Sequence, residues 1–145
     1  MLVSHPFHTS HVRLPTNNTP PAIRNNPKYY PFFKDCRGAI DGSHFDMWVS
    51  EDAIPHYRNR KGGVTQNVLA ACDFDMQFVY VLSGWEGSAN DGQIYEYARE
   101  KNFSIPAGCY YLADAGFPSC DTLLVPYRGK RYHLKEWGRS NQRYV

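Results

Sequence analysis

Five short apolar runs rich in β-branched and aromatic residues, with one helical pattern between the third and the fourth, constrain this chain more than any other feature. The first spans Arg37 to Ile40 and is read as resuming from Phe45 to Val49. "NVLAACD" and "QFVYVLSGW", joined through "FDM", have the pattern of an antiparallel hairpin. "CYYLADAGF" and the shorter "TLLVPY" follow, the latter halted by Pro126. Between the hairpin and these runs, "GSANDGQIYEYAREKN" predicts a helix: Asp91 is placed to cap it, Ile94, Tyr97 and Ala98 fall at spacings of three and four, and Asn102 marks its end. Strand, hairpin, helix, strand, short strand is an α/β order. The polar, Gly-containing "EDAIPHYRNRKGGVTQ" reads as a loop.

With 145 residues there is room for one domain with a single core, and a content of 42% apolar and 15% aromatic residues excludes general disorder. Residues 1–27 contain Pro6, Pro15, Pro20, Pro21 and Pro27 among Thr and Asn, which predicts an extended leader or linker ahead of a domain at 28–145. The formal charge of +2 is too mild to announce nucleic-acid binding by itself. Basic residues nevertheless cluster at Arg58, Arg60 and Lys61 and again at Arg128, Lys130 and Arg131, where the ordinary reading is a solvated surface. Cys36, Cys72, Cys109 and Cys120 show no CxxC spacing and read as reduced thiols of an intracellular protein. His5, His8 and His11 lack the partners that a zinc site needs. No apolar stretch approaches the roughly 20 residues of a membrane span, and no secretory signal is visible, so the expectation is a protein that is neither membrane-spanning nor secreted.

Two of the apolar runs end alike: "GAIDGSHF" and "YYLADAGF" each close on an Asp followed within two residues by Gly. Asp-Gly between apolar runs is a strong signal for a tight hairpin, and Asp41 suits that reading. The second sequence is not an Asp-Gly pair, and an ionised carboxylate near a core is costly unless a cation or hydrogen-bond donors compensate it. Carboxylates at strand ends bind hard cations such as Mg²⁺, and paired metals serve phosphodiester chemistry. The residues alone leave turn former and metal ligand both open.

"YYPFFKDCRGAIDGSHF", "NVLAACDFDMQFVYVLSGWEGSAND" and "YYLADAGFPSCDTLLVPYRGKRYHLKEW" resemble, in order, consecutive blocks of the DDE-type transposase domain of the PIF/Harbinger superfamily. The resemblance implies a ribonuclease-H-like mixed sheet of three antiparallel strands, a helix and two further strands. It implies a Mg²⁺- or Mn²⁺-dependent endonuclease acting on DNA in the nucleus, with a separate DNA-binding protein as a further partner. Asp41 then corresponds to the first catalytic aspartate and metal ligand and Asp114 to the second, while Asp91 matches a recurrent acidic position that can approach the same metal. A plain helix cap remains the other role for Asp91.

Among the remaining residues, Asp73 and Asp75 fall in the hairpin turn, where Asp is expected for geometric reasons. His44 is suited either to orienting a metal-bound water or to packing on strand neighbours. Arg58, Arg60, Lys61, Arg128 and Arg131 are candidates for phosphate contacts, with Tyr57, Tyr127 and Tyr132 nearby to stack on bases. The family's third acid, a glutamate in a motif resembling N-x-x-H-x-x-x-R-x-x-x-E, has no match here, and Glu136 belongs to an earlier block. The family's N-terminal helical DNA-binding region has no counterpart either. The expectation is therefore a C-terminally incomplete catalytic domain, impaired in cutting, with a domesticated module that binds DNA or protein without cleavage as the alternative.

Overall fold

The computed structural model describes residues 16–130. Five strands form one sheet: β1 (Cys36–Asp46), β2 (Thr65–Cys72), β3 (Phe78–Glu86), β4 (Tyr110–Leu112) and β5 (Leu123–Leu124), in the order β3-β2-β1-β4-β5. β1 to β3 are antiparallel neighbours, whereas β4 runs parallel to β1 and β5 parallel to β4. This is the mixed ribonuclease-H-like arrangement expected from the strand order. Among the described residues three helical segments accompany it: α1 (Pro21–Arg24), α2 (Ile54–Tyr57) and α3 (Asp91–Lys101). None of the described helices is long and apolar enough to cross a membrane.

The alternation of β2 shows how the sheet buries itself. Thr65, Asn67, Leu69 and Ala71 are buried, while the residues between them are only partly covered. The buried row faces a core that gathers Ile40 of β1, Val79 and Tyr80 of β3, Ile94, Tyr95 and Ala98 of α3, and Tyr111 and Leu123 from the last strands. Phe103 sits at its centre, with its ring centroid 4.5 Å from that of Tyr80 and 5.3 Å from that of Tyr111. Fully burying side chains of this size contributes about 1.5–3 kcal/mol each, and this contribution holds α3 on the sheet.

Four local expectations are revised. β1 does not break at Asp41-Gly42: an unbroken ladder from Ala39↔Cys72 to Asp46↔Thr65 carries it through, because β2 offers a partner at every position. Tyr97 is not a core residue but stands 39% exposed, edge-on to Trp85 at 5.1 Å, and Tyr95 takes the inward place. The segment read as loop contains one helical turn, α2. Within the stretch read as extended leader, Pro21–Arg24 form another, started by a proline whose missing N–H costs nothing there, and Ile23 is buried. The hairpin turn is as expected: Asp73 Oδ1 accepts from the backbone N–H groups of Asp75 and Gln77 at 2.9 and 3.0 Å.

Candidate active site

β1 is the strand where the sheet changes sense, antiparallel to β2 on one side and parallel to β4 on the other. Crevices beyond the strand ends at such points are where α/β sheets collect ligands. The parallel register sets Ala39 against Leu112, so Asp41 lies two residues further along one chain and Asp114 two residues further along the other. β4 ends at Leu112, which places Asp114 in the turn that follows rather than in the strand. That turn is built by the aspartate itself, whose Oδ1 accepts from the Gly116 N–H at 2.8 Å. It is anchored by Phe117, which is buried in the core.

Asp91 reaches the same place from the opposite side. The helix cap expected of it belongs instead to Asn90, whose Oδ1 accepts from the Gln93 N–H at 2.9 Å. The carboxylate of Asp91, released from capping, turns toward the sheet, where its Oδ1 accepts 2.8 Å from Asn67 Nδ2. It lies against Gly42, and a Cβ at position 42 would overlap it. Glycine is therefore required there by close approach.

The electrostatics of the cluster follow from this crowding. The carboxyl pKa of Asp41 is raised above the ordinary 3.8, first because packing around the side chain disfavours its charged form. The Gly42 N–H, 2.8 Å from Asp41 Oδ1, opposes that rise, and the charges of Asp114 and Asp91 add to it. Among the described residues no basic side chain forms an ion pair with any of the three. Among the described residues the single ion pair is His56 with Glu86, at 3.9 Å and on the surface. Nor is any group of three or more His, Cys, Asp or Glu side chains among the described residues gathered tightly enough to hold a metal ion unaided. Oxygen donors under mutual repulsion suit a hard divalent cation that keeps several waters. Two of these carboxylates with water as the remaining ligands match that description.

A cleft of about 400 Å³ opens beside Asp91, lined by His44, Arg60, Lys61, Asn67 and Asn90 among others. The loop carrying Arg60 and Lys61 is held by Asn59, whose Oδ1 accepts from the Lys61 and Gly63 N–H groups at 2.9 and 3.0 Å. Asn59 Nδ2 donates to Thr65 Oγ1 at 3.2 Å, and the same hydroxyl stands 3.1 Å from His44 Nδ1. His44 is thus tied to the base of the basic loop. Arg58 does not line this cleft: its backbone bridges to Val64. Arg128 lies in an exposed turn after β5 and does not line it either, and Arg131 and Tyr132 lie outside the described residues. Asn67, Asn59 and Gly42 were not singled out by sequence. Only Asn67 carried a usable signal, a polar residue in register with the buried row of Leu69 and Ala71.

The sequence profile of a family described as "DDE superfamily endonuclease" matches residues 40–143. A curated relative, "Protein ALP1-like" of Arabidopsis thaliana, is 29% identical over 120 residues, which cover 70% of this chain and 30% of that protein. The chain thus spans about 30% of the length of this relative. No solved structure matches.

Proposed function

Since this chain belongs to the DDE superfamily of endonucleases, we propose that its strand-end aspartates form a divalent-cation site for chemistry on DNA phosphodiester bonds. Asp41 and Asp114 are the catalytic carboxylates, and Asp91 is a further metal ligand. The observation that carries this reading is the parallel register of β1 on β4, which sets Asp41 and Asp114 each two residues beyond the Ala39–Leu112 pair, and the charges of Asp114 and Asp91 add to the burial that raises the Asp41 carboxyl pKa. Mg²⁺ or Mn²⁺ bound there would offset negative charge on the attacking and leaving oxygens of an in-line displacement. The protein's own part is to hold two or three carboxylates at fixed positions at the end of a rigid sheet. Arg60 and Lys61, which line the adjoining cleft, attract the phosphate backbone. Arg58 and Arg128 extend that attraction beyond the cleft, and Arg131 is a further candidate for a phosphate contact.

By the same reading residues 28–145 are catalytic domain, residues 1–27 are a leader, and the protein works in the nucleus beside a separate DNA-binding protein that supplies sequence choice. A module that binds DNA or protein without cutting is the second reading. It is favoured by the lack, among the described residues, of a group of three metal-ligating side chains. A plasmid-nicking time course in Mn²⁺ tests the pair, using this chain, its Asp114→Ala variant and a longer version that adds a glutamate-bearing helix. The expected result is nicking by the longer version alone, lost on Asp114→Ala in that background. Nicking by the present chain that disappears in Asp114→Ala would show that two aspartates suffice, and no nicking by any version would favour the second reading.

A further inference from the structure

We propose that Asn67 is the positioning residue of the cation site: its side-chain amide sets the Asp91 carboxylate in place beneath β1, and cation affinity depends on it. This inference rests on the metal-site reading above. Position 67 belongs to the buried row of β2, and Asn67 itself is 1% exposed. Its amide orientation is unambiguous, because both atoms facing Nδ2 can only accept: the Ala89 carbonyl at 3.2 Å and Asp91 Oδ1 at 2.8 Å. That leaves Asn67 Oδ1 buried with no hydrogen-bond partner. That unpaired acceptor lowers stability, and the two bonds that Nδ2 donates offset the loss. Asn67 thus stands beside Thr65, Leu69 and Ala71 in the buried row as the residue whose side chain reaches Asp91.

The surroundings of Asp91 lead to the same conclusion. A carboxylate in the first turn of a helix ordinarily settles on the free backbone N–H groups there. Asn90 has taken that role, Gly42 leaves the space, and Asn67 supplies the one side-chain donor that Asp91 has among the described residues. Three residues on three segments thus turn one carboxylate away from its own helix and toward β1 at Gly42. Partners of this kind, which orient a ligand without touching the metal, change metal affinity by roughly 10- to 100-fold when replaced.

Mn²⁺ alone is the probe, titrated calorimetrically into the whole chain and into the Asn67→Leu, Asn67→Ser, Asp91→Asn and Asn67→Leu/Asp91→Asn variants, with metal-free melting of each. The expected result is Mn²⁺ affinity about tenfold weaker in Asn67→Leu and Asn67→Ser. The metal-free melting temperature of Asn67→Leu should fall, because the Ala89 carbonyl and Asp91 Oδ1 lose their donor, and the double variant should be no weaker in binding than Asp91→Asn. Wild-type Mn²⁺ affinity in both Asn67 variants, with Asp41→Asn and Asp114→Asn abolishing binding, would overturn the role of Asn67 and leave the metal site standing. Additive losses in the double variant would likewise overturn it. Failure of the wild type to bind Mn²⁺ would overturn both. Should Asn67→Leu fail to fold, Asn67→Ser decides alone.

Discussion

The guanidinium of Arg37 donates from Nη2 to the backbone carbonyl of Asn17 at 2.6 Å, fastening a segment twenty residues upstream to the buried start of β1. Nη1 serves two more carbonyls, Lys34 at 3.0 Å and Cys36 at 3.2 Å, and the side chain is 2% exposed. Arg37 has no acidic partner in an ion pair among the described residues. Its charge is solvated by main-chain oxygens in place of water. Arg37→Ala would strand three carbonyls and leave a cavity, so unfolding in urea should show a loss of about 2–4 kcal/mol. Arg37→Lys should recover little, since an ammonium cannot span the same three directions as the planar fork. Limited proteolysis of Arg37→Ala should cut first within residues 16–20, ahead of the sheet.

The pH dependence of stability should change when Asp41 loses its charge. The folded chain holds the Asp41 proton more tightly than the unfolded chain does, since burial and then the neighbouring charges of Asp114 and Asp91 raise its pKa from 3.8. A raised folded-state value means that the ionised side chain costs stability, and the cost grows as pH rises through that value. Asp41→Asn removes the cost. Its melting temperature should exceed that of the wild type at pH 7 in low salt, and the gap should close as pH falls below 3.8, where the carboxyl is protonated in both states. A gap that is independent of pH would mean that the substitution acts through packing alone.

Divalent cations should relieve the same repulsion. A cation that binds only the folded chain stabilises it by roughly 1.4 kcal/mol at ten times its dissociation constant. Millimolar Mn²⁺ should therefore raise the wild-type melting temperature and narrow its difference from Asp41→Asn. Equal melting curves with Mn²⁺ and with a chelator would count against a cation at this position.

DNA binding should distinguish the basic residues that line the cleft from those that do not. Arg60 and Lys61 line the cleft next to Asp91, while Arg58 and Arg128 do not. Replacing both Arg60 and Lys61 with Ala should flatten the dependence of log affinity on log salt by about 1.8 for duplex DNA, two phosphate contacts at roughly 0.9 each. Arg128→Ala should change the slope by less. Equal effects would imply a diffuse positive surface in place of a directed track.

Thiol reactivity should rank by burial. Cys36 is 0% exposed, and burial, the largest influence on it, pushes its thiol above the ordinary 9.0. Cys120 is exposed. At pH 8 an aromatic disulfide reagent should modify Cys120 in the native protein and reach Cys36 only in denaturant, because the thiolate is the reacting form. Rapid native labelling of Cys36 would mean that β1 opens at its start.

Element order was legible because apolar runs of strand length and a helical repeat are properties of the residues themselves. The assignments that moved were those decided by a neighbour. Tyr97 and Tyr95 both fit an inward helix face, and only the placement of Trp85 and Phe103 determines which ring turns in. Asn90 and Asp91 are both good caps, and the choice depends on Asn67, more than twenty residues away. The aspartate at position 41 could be read as a turn former because its following glycine suits a hairpin. That glycine answers instead to a carboxylate arriving from α3, which no local pattern announces.

The parallel pairing of β1 with β4 also governs when the site comes into being. The antiparallel half of the sheet joins strands that follow one another, and the β2–β3 turn between Cys72 and Phe78 closes a short loop. The Ala39↔Leu112 register joins positions more than seventy residues apart, with α2, β2, β3 and α3 between them. Such contacts carry the largest loop-closure entropy and form late. A chain that has completed only its antiparallel half therefore owns Asp41 without Asp114. Assembly of the two carboxylates coincides with the final docking step, so their mutual repulsion weighs on the last stage of folding and leaves the earlier ones untouched.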